Sequence, residues 1–235
     1  MRGGYRPLQW VTTKESRIMK RREFSTQLLA TVAGATVGSA VFSAHAQGDF
    51  VEGQHYVKLS QPQAVPGGGK IEVVEFFWYG CPHCNAFEPA LEAWQKKLPA
   101  DVAFRRIPVA FREEPFTTHQ RLFFAIETMG LVDTLHRKVF NAVHLDRARL
   151  DKLPELVEFM NKNGVDGAKF SEVYNSFSVQ TKARQAKQLA EAYRIDGVPA
   201  IGIQGRYYTS GSMAGSGERS LAVADYLLNR VRKNT

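Results

Sequence analysis

The sequence predicts an α/β fold into which an all-helical domain is inserted. Short β-branched and aromatic runs, typical of strands, lie on both sides of residues 113–194, whereas that block shows only the three- and four-residue spacing of helices. Amphipathic helices also accompany the strands on each side of the block. The predicted order is therefore two strands, a helix and a strand, then the helical block, then two strands and a helix.

The first half of the α/β part has the clearest elements. A short strand is predicted around Tyr56–Lys58, and Lys70–Tyr79 is a nearly continuous β-branched and aromatic run that suits a central strand covered on both faces. Apolar residues then recur at helical spacing over residues 82–98, and Pro99 ends this helix. Residues 102–110 alternate between apolar and polar side chains, as expected of a second long strand.

The rest of the chain supplies the helical block and the second strand–helix unit. In the block, apolar stripes cover residues 122–129, 131–143, 153–160, 170–177 and 183–193. After it, Ala200–Gln204 and Arg206–Thr209 predict two strands joined by a turn at Gln204-Gly205. An amphipathic stripe over Leu221–Val231 predicts a closing helix.

These patterns divide the chain into three parts. Residues 1–46 form a leader, residues 47–112 and 195–235 form the α/β domain in two pieces, and residues 113–194 form the inserted helical domain. The leader holds seven basic and two acidic residues, so most of the formal net charge of +8 lies there. The remaining 24 basic and 21 acidic residues form no basic stripe, which argues against nucleic-acid binding.

The leader has the features of a secretory signal peptide. Basic residues Lys20–Arg22 precede a moderately apolar stretch at 28–42, and Ala44-His45-Ala46 is a small-x-small cleavage site. The apolar stretch is too short and too rich in Gly and Ser to span a membrane, so we expect cleavage and export. Two alternatives stay open: an ordinary or a twin-arginine signal at Arg21-Arg22, and a start at the first residue or at Met19.

The two cysteines of the chain lie in one motif, Cys81-Pro82-His83-Cys84, where the predicted central strand meets the predicted helix. A structural zinc site needs four ligands, and His119, His136 and His144 lack the spacing to complete one, so no metal site is predicted. A structural disulfide that encloses only two residues would constrain the unfolded chain very little. A redox-active pair fits the motif best.

The position of Cys81 predicts a stabilised thiolate. At the start of a helix its sulfur meets unpaired backbone N–H groups and the positive end of the helix dipole. Pro82 suits the first turn, where its missing N–H costs nothing. His83 can add a hydrogen-bond donor or a positive charge beside the sulfur. We therefore predict that Cys81, Cys84, His83 and Pro82 form a catalytic group for thiol–disulfide exchange.

Two segments carry a family resemblance. Glu75–Cys84, with the sequence Glu-Phe-Phe-Trp-Tyr-Gly-Cys-Pro-His-Cys, and Gly197–Ala200, with the sequence Gly-Val-Pro-Ala, resemble the DsbA family of bacterial periplasmic thiol:disulfide interchange proteins. The resemblance runs from about Tyr56 to the C-terminal helix. Because that family belongs to the thioredoxin superfamily, it implies a thioredoxin-like fold with an inserted all-helical domain.

The resemblance also implies roles for single residues. Cys81 would be the exposed sulfur that substrates attack, and Cys84 its buried partner. Val198-Pro199 would be the loop whose cis-proline faces the disulfide and contacts the substrate. Glu75 matches a buried acidic residue of the family, although the sequence equally allows a polar residue at a strand edge. Arg106 falls where the family has a lysine that could pair with this acid, but arginine does not readily release a proton.

The implied activity is the donation of the Cys81–Cys84 disulfide to unfolded or newly exported cysteine-containing proteins in the periplasm. A DsbB-like, quinone-linked membrane oxidase would then restore the disulfide of the monomeric protein, without a soluble cofactor or a metal. Two alternatives stay open at this stage. One is a disulfide reductase or isomerase, and the other is a non-catalytic peptide-binding module with the same fold.

Overall fold

The computed structural model describes residues 50–66 and 68–233, so the predictions for the leader at 1–46 lie outside the described residues. The described elements follow the predicted order, with one additional short helix, α7. They are β1 (Val57–Lys58), β2 (Ile71–Phe77), α1 (Pro82–Gln95), β3 (Val102–Pro108), α2 (Phe116–Thr128), α3 (Val132–His144), α4 (Leu153–Lys162), α5 (Gly167–Asn175), α6 (Phe177–Ala192), β4 (Ala200–Ile203), β5 (Tyr207–Ser210), α7 (Gly211–Ala214) and α8 (Gly217–Lys233).

The five strands form one sheet in the order β1-β5-β4-β2-β3. β2 and β3 are parallel, whereas the other neighbouring pairs are antiparallel. β2 therefore lies inside the sheet, and six of its seven residues are buried, as its continuous apolar run predicts. In the register of the sheet, Glu75 of β2 lies opposite Arg106 of β3 and Ile201 of β4.

Helices cover the sheet on both faces. On one face, the helical block packs on β2 through Val74 and Phe76, and the ring of Phe76 lies 5.0 Å from that of Tyr193 at the end of α6. On the other face, α1 and α8 pack on the sheet around residues such as Val73 and Leu227. The carboxyl end of β2 and the start of α1 consequently lie where the two cores meet. Among the described residues, no helix is both long enough and apolar enough to cross a bilayer.

Two helix predictions need correction. α1 ends at Gln95 rather than at Leu98, because the residue before a proline, here Pro99, avoids the helical conformation and the last turn unwinds ahead of it. The four-residue helix α7 was not predicted, since it is shorter than the period that apolar spacing can reveal. Its start is fixed by Ser210, whose hydroxyl accepts a hydrogen bond from the N–H of Met213 at 3.3 Å.

The turn between β4 and β5 is confirmed. Gln204 and Gly205 have φ angles of 51° and 61°, the pair of positive values that a two-residue type I′ hairpin turn requires. The N–H of Arg206 donates to the carbonyl of Ile203 at 2.9 Å and closes the turn. A Cβ atom at Gly205 would lie 2.2 Å from the carbonyl oxygen of Gln63, so glycine is needed for space as well as for conformation.

Candidate active site

The Cys-Pro-His-Cys motif begins one loop after the buried strand β2. Cys81 is the N-cap of α1, with an extended backbone (φ −84°, ψ 116°), and Pro82 occupies the first turn. The N–H of Cys84 donates to the sulfur of Cys81 at 3.4 Å. Gly80 permits the tight approach before the motif, because a Cβ there would lie 2.3 Å from the indole ring of Trp78. The local sequence thus places a sulfur where a capping oxygen usually sits.

Both cysteines are thiols in this structure, and they differ in exposure. Cys84 is fully buried, whereas Cys81 retains 7% of its surface. The expectation that Cys81 is exposed was therefore too strong, and the carbonyl oxygen of Val198 is one of the groups that lie against it, 3.4 Å from the sulfur. The order of accessibility is nevertheless the predicted one, and Cys81 is the sulfur that solvent reaches.

The surroundings separate the pKa values of the two thiols. A hydrogen bond from the Cys84 thiol, together with the backbone N–H groups of Cys84 and His83, lowers the pKa of Cys81 from 9.0 to about 6, although burial acts in the opposite direction. Burial raises the pKa of Cys84 well above 9.0, and its hydrogen bond to Cys81 raises it further. At neutral pH, the pair therefore holds a thiolate at Cys81 and a thiol at Cys84.

The loop at Val198-Pro199 lies against the motif, although it is more than a hundred residues away in sequence. The peptide bond between the two residues is cis, as the resemblance implies. When Cys81 carries its proton, the thiol can donate a hydrogen bond to the carbonyl oxygen of Val198, which lies 3.4 Å from the sulfur. Within the described chain, the N–H of Val198 has no hydrogen-bond acceptor. A donor and an acceptor of the backbone thus lie at the reactive sulfur.

A groove of about 660 Å³ continues from this loop along the start of α1. We call it the active-site groove; its walls include Ala86, Phe87, Val198, Pro199 and Met213. His83 lies at its edge and is exposed. Most of the walls named here are apolar, which suits the side chains of a bound peptide.

Glu75 and Arg106 meet beneath the site. Nε of Arg106 lies 2.9 Å from Oε2 of Glu75, the distance of an ion pair, although its N–H does not point at the oxygen in hydrogen-bond geometry. Glu75 is fully buried in a strand that is paired on both sides. The alternative of a polar residue at a strand edge is therefore wrong.

The cluster around Arg106 contains three residues that sequence reasoning missed. Nη2 of Arg106 lies 3.1 Å from Oε2 of Glu88, whose Oε1 lies 3.2 Å from Nε2 of His136. Nδ1 of that imidazole lies 2.8 Å from the hydroxyl of Tyr79. Glu88 could have been noticed, because it lies four residues after Cys84 and so on the same inward face of α1. His136 shares an apolar stripe with its neighbours and carries no such signal.

One guanidinium faces two carboxyl groups in this cluster, and the pKa values of the two carboxyl groups shift in opposite directions. Burial raises the pKa of Glu75 well above 4.5, and the nearby carboxylate of Glu88 raises it further. Burial also acts on Glu88, but hydrogen bonds from His136 and Arg106 outweigh it and lower the pKa of that carboxyl. Burial lowers the pKa of His136. The two carboxyl groups that contact Arg106 therefore have pKa values shifted in opposite directions, Glu75 upward and Glu88 downward.

The described residues contain no group of three or more histidine, cysteine or acidic side chains arranged to hold a metal ion.

Comparisons with known proteins agree with this geometry. The family described as "DSBA-like thioredoxin domain" matches residues 72–228. The thiol:disulfide interchange protein DsbA of Pseudomonas aeruginosa is 43% identical over 195 residues, covering 83% of this chain and 92% of that protein. DsbA of Azotobacter vinelandii is 44% identical over 184 residues, covering 78% and 86% respectively. A crystal structure of the Pseudomonas aeruginosa protein superimposes with a TM-score of 0.76 at 43% identity, covering 79% of this chain and 96% of that structure. The chain therefore belongs to the DsbA-like thioredoxin family, and it is a thiol:disulfide oxidoreductase with a thioredoxin-like fold and a helical insertion.

Proposed function

We propose that this oxidoreductase works as a dithiol oxidase, which gives its Cys81–Cys84 disulfide to newly exported proteins. One observation carries the direction: the Cys81 thiolate is stabilised, with its pKa lowered to about 6. Stabilisation of the thiolate favours the reduced form over the disulfide. The disulfide is therefore a strong oxidant, and Cys81 is a good leaving group.

The exchange proceeds in two balanced steps. A substrate thiolate attacks the Cys81 sulfur, the Cys81–Cys84 bond breaks, and Cys84 leaves with the electron pair and takes up a proton. A second substrate thiolate then attacks the substrate sulfur of the mixed disulfide, and Cys81 leaves as a thiolate. The substrate loses two electrons and the enzyme gains them. Glu75, whose pKa is raised, is suited to supply the proton to the buried Cys84, whereas Arg106 stays charged and cannot.

Binding of an extended substrate segment beside Val198 is supported by the positions of the backbone N–H and carbonyl of this residue. The N–H of Val198 has no acceptor in the described chain, and its carbonyl already faces the reactive sulfur. A peptide that pairs with these groups as an added strand would present its own thiolate to Cys81. Backbone pairing next to Pro199 reads no side chains, which suits an enzyme with many substrates.

The location and the partners complete the proposal. A cleaved leader at residues 1–46 would deliver the protein to the periplasm, where new polypeptides arrive unfolded with free thiols. Reoxidation requires an electron acceptor, for which we propose a DsbB-like, quinone-linked membrane oxidase. The protein would act as a monomer, with the Cys81–Cys84 pair as its redox group and with neither a soluble cofactor nor nucleic acid as a partner.

Equilibration of the protein with glutathione buffers tests the direction of the reaction. We expect a reduction potential well above that of the glutathione couple. A potential near that of thioredoxin, about −270 mV, would instead show a reductase. Failure of the cysteine pair to exchange with glutathione would instead indicate a non-catalytic peptide-binding module. The double variant Cys81→Ala/Cys84→Ala provides the baseline for both measurements.

A further inference from the structure

A second cleft, of about 610 Å³, lies between the carboxyl end of β3 and helix α6. Its floor is apolar and includes Val109, Ala183 and Ile195. Four cationic side chains line it, and we call it the basic cleft: Arg112, Arg121, Arg184 and Lys187. Three of the four, Arg112, Arg184 and Lys187, are exposed. The mechanism described above uses none of them.

The basic cleft opens at the same edge of the sheet as the reactive cysteine. β2 and β3 are parallel, so their carboxyl ends share one edge, and the N–H of Val109 continues their pairing by donating to the carbonyl of Phe77 at 2.8 Å. Ile195 lines the basic cleft and the active-site groove alike. A polypeptide lying across the Val198 loop would therefore meet the groove on one side and the basic cleft on the other.

The cations of the basic cleft have no ion-pair partners in the described part of the chain. Among the described residues, no carboxylate lies within 4.0 Å of any of the four, and Arg121 instead contacts the neutral groups of Tyr174 and Asn175. Glu113 and Glu191 also line the cleft, so its formal charge is +2. The active-site groove has the opposite character, because its charged walls are Asp196 and Glu218.

A third cleft differs from the basic cleft in having equal numbers of basic and acidic side chains. This control cleft, of about 710 Å³, is lined by three basic residues, Lys138, Arg149 and Lys162, and by three acidic ones, Asp146, Glu155 and Glu158. Two of its cations form ion pairs: Arg149 lies 2.6 Å from Asp151, and Lys162 lies 2.7 Å from Glu158. It lies among α3, α4 and the loop between them, on the helical block.

We propose that the basic cleft binds an acidic segment of the substrate polypeptide that flanks its reacting cysteine, and so gives the enzyme a preference for such cysteines. This inference rests on the proposed function and names a substrate class for it. Arginine and lysine side chains at an open rim attract carboxylates before contact and hold them by charge-assisted hydrogen bonds afterwards. The backbone groups of Val198 would bind a substrate segment of any sequence, whereas the basic cleft would favour substrates with an acidic segment.

Oxidation of synthetic dithiol peptides tests this proposal. Each peptide carries two glutamates, two glutamines or two lysines on one side of the attacking cysteine, and both the N-terminal and the C-terminal placements are made. In one of the two placements, the oxidised wild type should oxidise the glutamate peptide about tenfold faster than the glutamine peptide with the same placement, at low ionic strength. The triple variant Arg112→Gln/Arg184→Gln/Lys187→Gln should lose that preference. The control triple variant Lys138→Gln/Arg149→Gln/Lys162→Gln should retain it.

The outcomes separate this proposal from the function on which it depends. Loss of the preference in the first variant alone, with unchanged rates on glutamine peptides, supports the basic cleft as the binding site. At about 1 M salt, where the Debye length is about 3 Å, the wild-type preference should also disappear. Equal rates of the wild type on all three peptide classes, or a preference that survives in the first variant, would overturn the proposal and leave the oxidase function intact. Failure to oxidise any peptide would overturn the proposed function instead.

Discussion

Nη1 of Arg137 donates a hydrogen bond of 3.1 Å to the carbonyl oxygen of Asn85. Asn85 lies four residues before Pro89, which sits inside α1. Since proline has no N–H, the carbonyl of Asn85 lacks the donor that the helix would otherwise provide. Arg137, on α3 of the helical block, supplies it and thereby allows a proline in the helix that carries the active site.

Replacement of Arg137 by methionine should destabilise the protein. Arg137→Met keeps an aliphatic side chain but leaves the partly buried carbonyl of Asn85 without a donor, which should lower the free energy of unfolding by about 1–3 kcal/mol. Denaturant titration measures the change. The neighbouring exposed residue provides the control, and Lys138→Met should change stability by less than about 0.5 kcal/mol. Equal effects of the two substitutions would contradict the assignment.

Removal of the buried cation should cost more. Arg106→Met leaves Glu75 and Glu88 buried without the guanidinium between them, and the loss should be about 3–5 kcal/mol. Arg106→Lys retains the charge and should be milder, although a lysine cannot reach both carboxyls in the same forked geometry. Unfolding free energies of both variants test this, and an Arg106→Met protein as stable as the wild type would refute it.

Stability of the reduced protein should depend on pH through Cys81. Its folded pKa of about 6 lies below the value of about 8.5 for an unfolded cysteine. The thiolate thus contributes stability that is fully present above the unfolded pKa and is lost as the pH falls through about 6. The raised pKa of Cys84 leaves that residue protonated in both states over most of this interval.

Unfolding titrations of the reduced and oxidised forms between about pH 6 and pH 8.5 measure this dependence. We expect the free energy of unfolding of the reduced form to rise relative to that of the oxidised form. Reduced Cys81→Ala, which keeps Cys84, should lack the rise. A difference that stays constant over the interval would show that Cys81 is not a stabilised thiolate.

Single-cysteine variants should show which sulfur is attacked. Cys84→Ala keeps the more accessible Cys81 and should accumulate a mixed disulfide with glutathione, because no second cysteine can resolve it. Cys81→Ala leaves only the fully buried Cys84, which should react far more slowly. Mass spectrometry under non-reducing conditions detects the adducts, and faster labelling of Cys84 than of Cys81 would reverse the assignment.

The fold and the reactive pair could be predicted because their signals are local. The run at β2, the turn at Gln204-Gly205 and the Cys-Pro-His-Cys motif each report on neighbouring residues. The buried network could be predicted only in part. Glu75 and Arg106 were predicted only through the family resemblance. His136 contacts Glu88 from a helix that is remote in sequence, and its burial depends on how the helices pack on the sheet. The contact between Cys81 and Val198 was likewise out of reach of local patterns, because it joins residues that are distant in sequence.

The contact of His136 with Glu88 also ties the α/β part to the helical block, so the block cannot simply be deleted. α3 belongs to the helical block, yet it carries the imidazole that binds a buried carboxylate of α1 and the guanidinium that completes the hydrogen bonding of that same helix. A minimal version from which residues 113–194 had been deleted would expose an incomplete charge network directly under its redox centre. The insertion is therefore not a detachable accessory, and shortening or transplanting the α/β part would require redesign of α1 at Glu88 and Pro89.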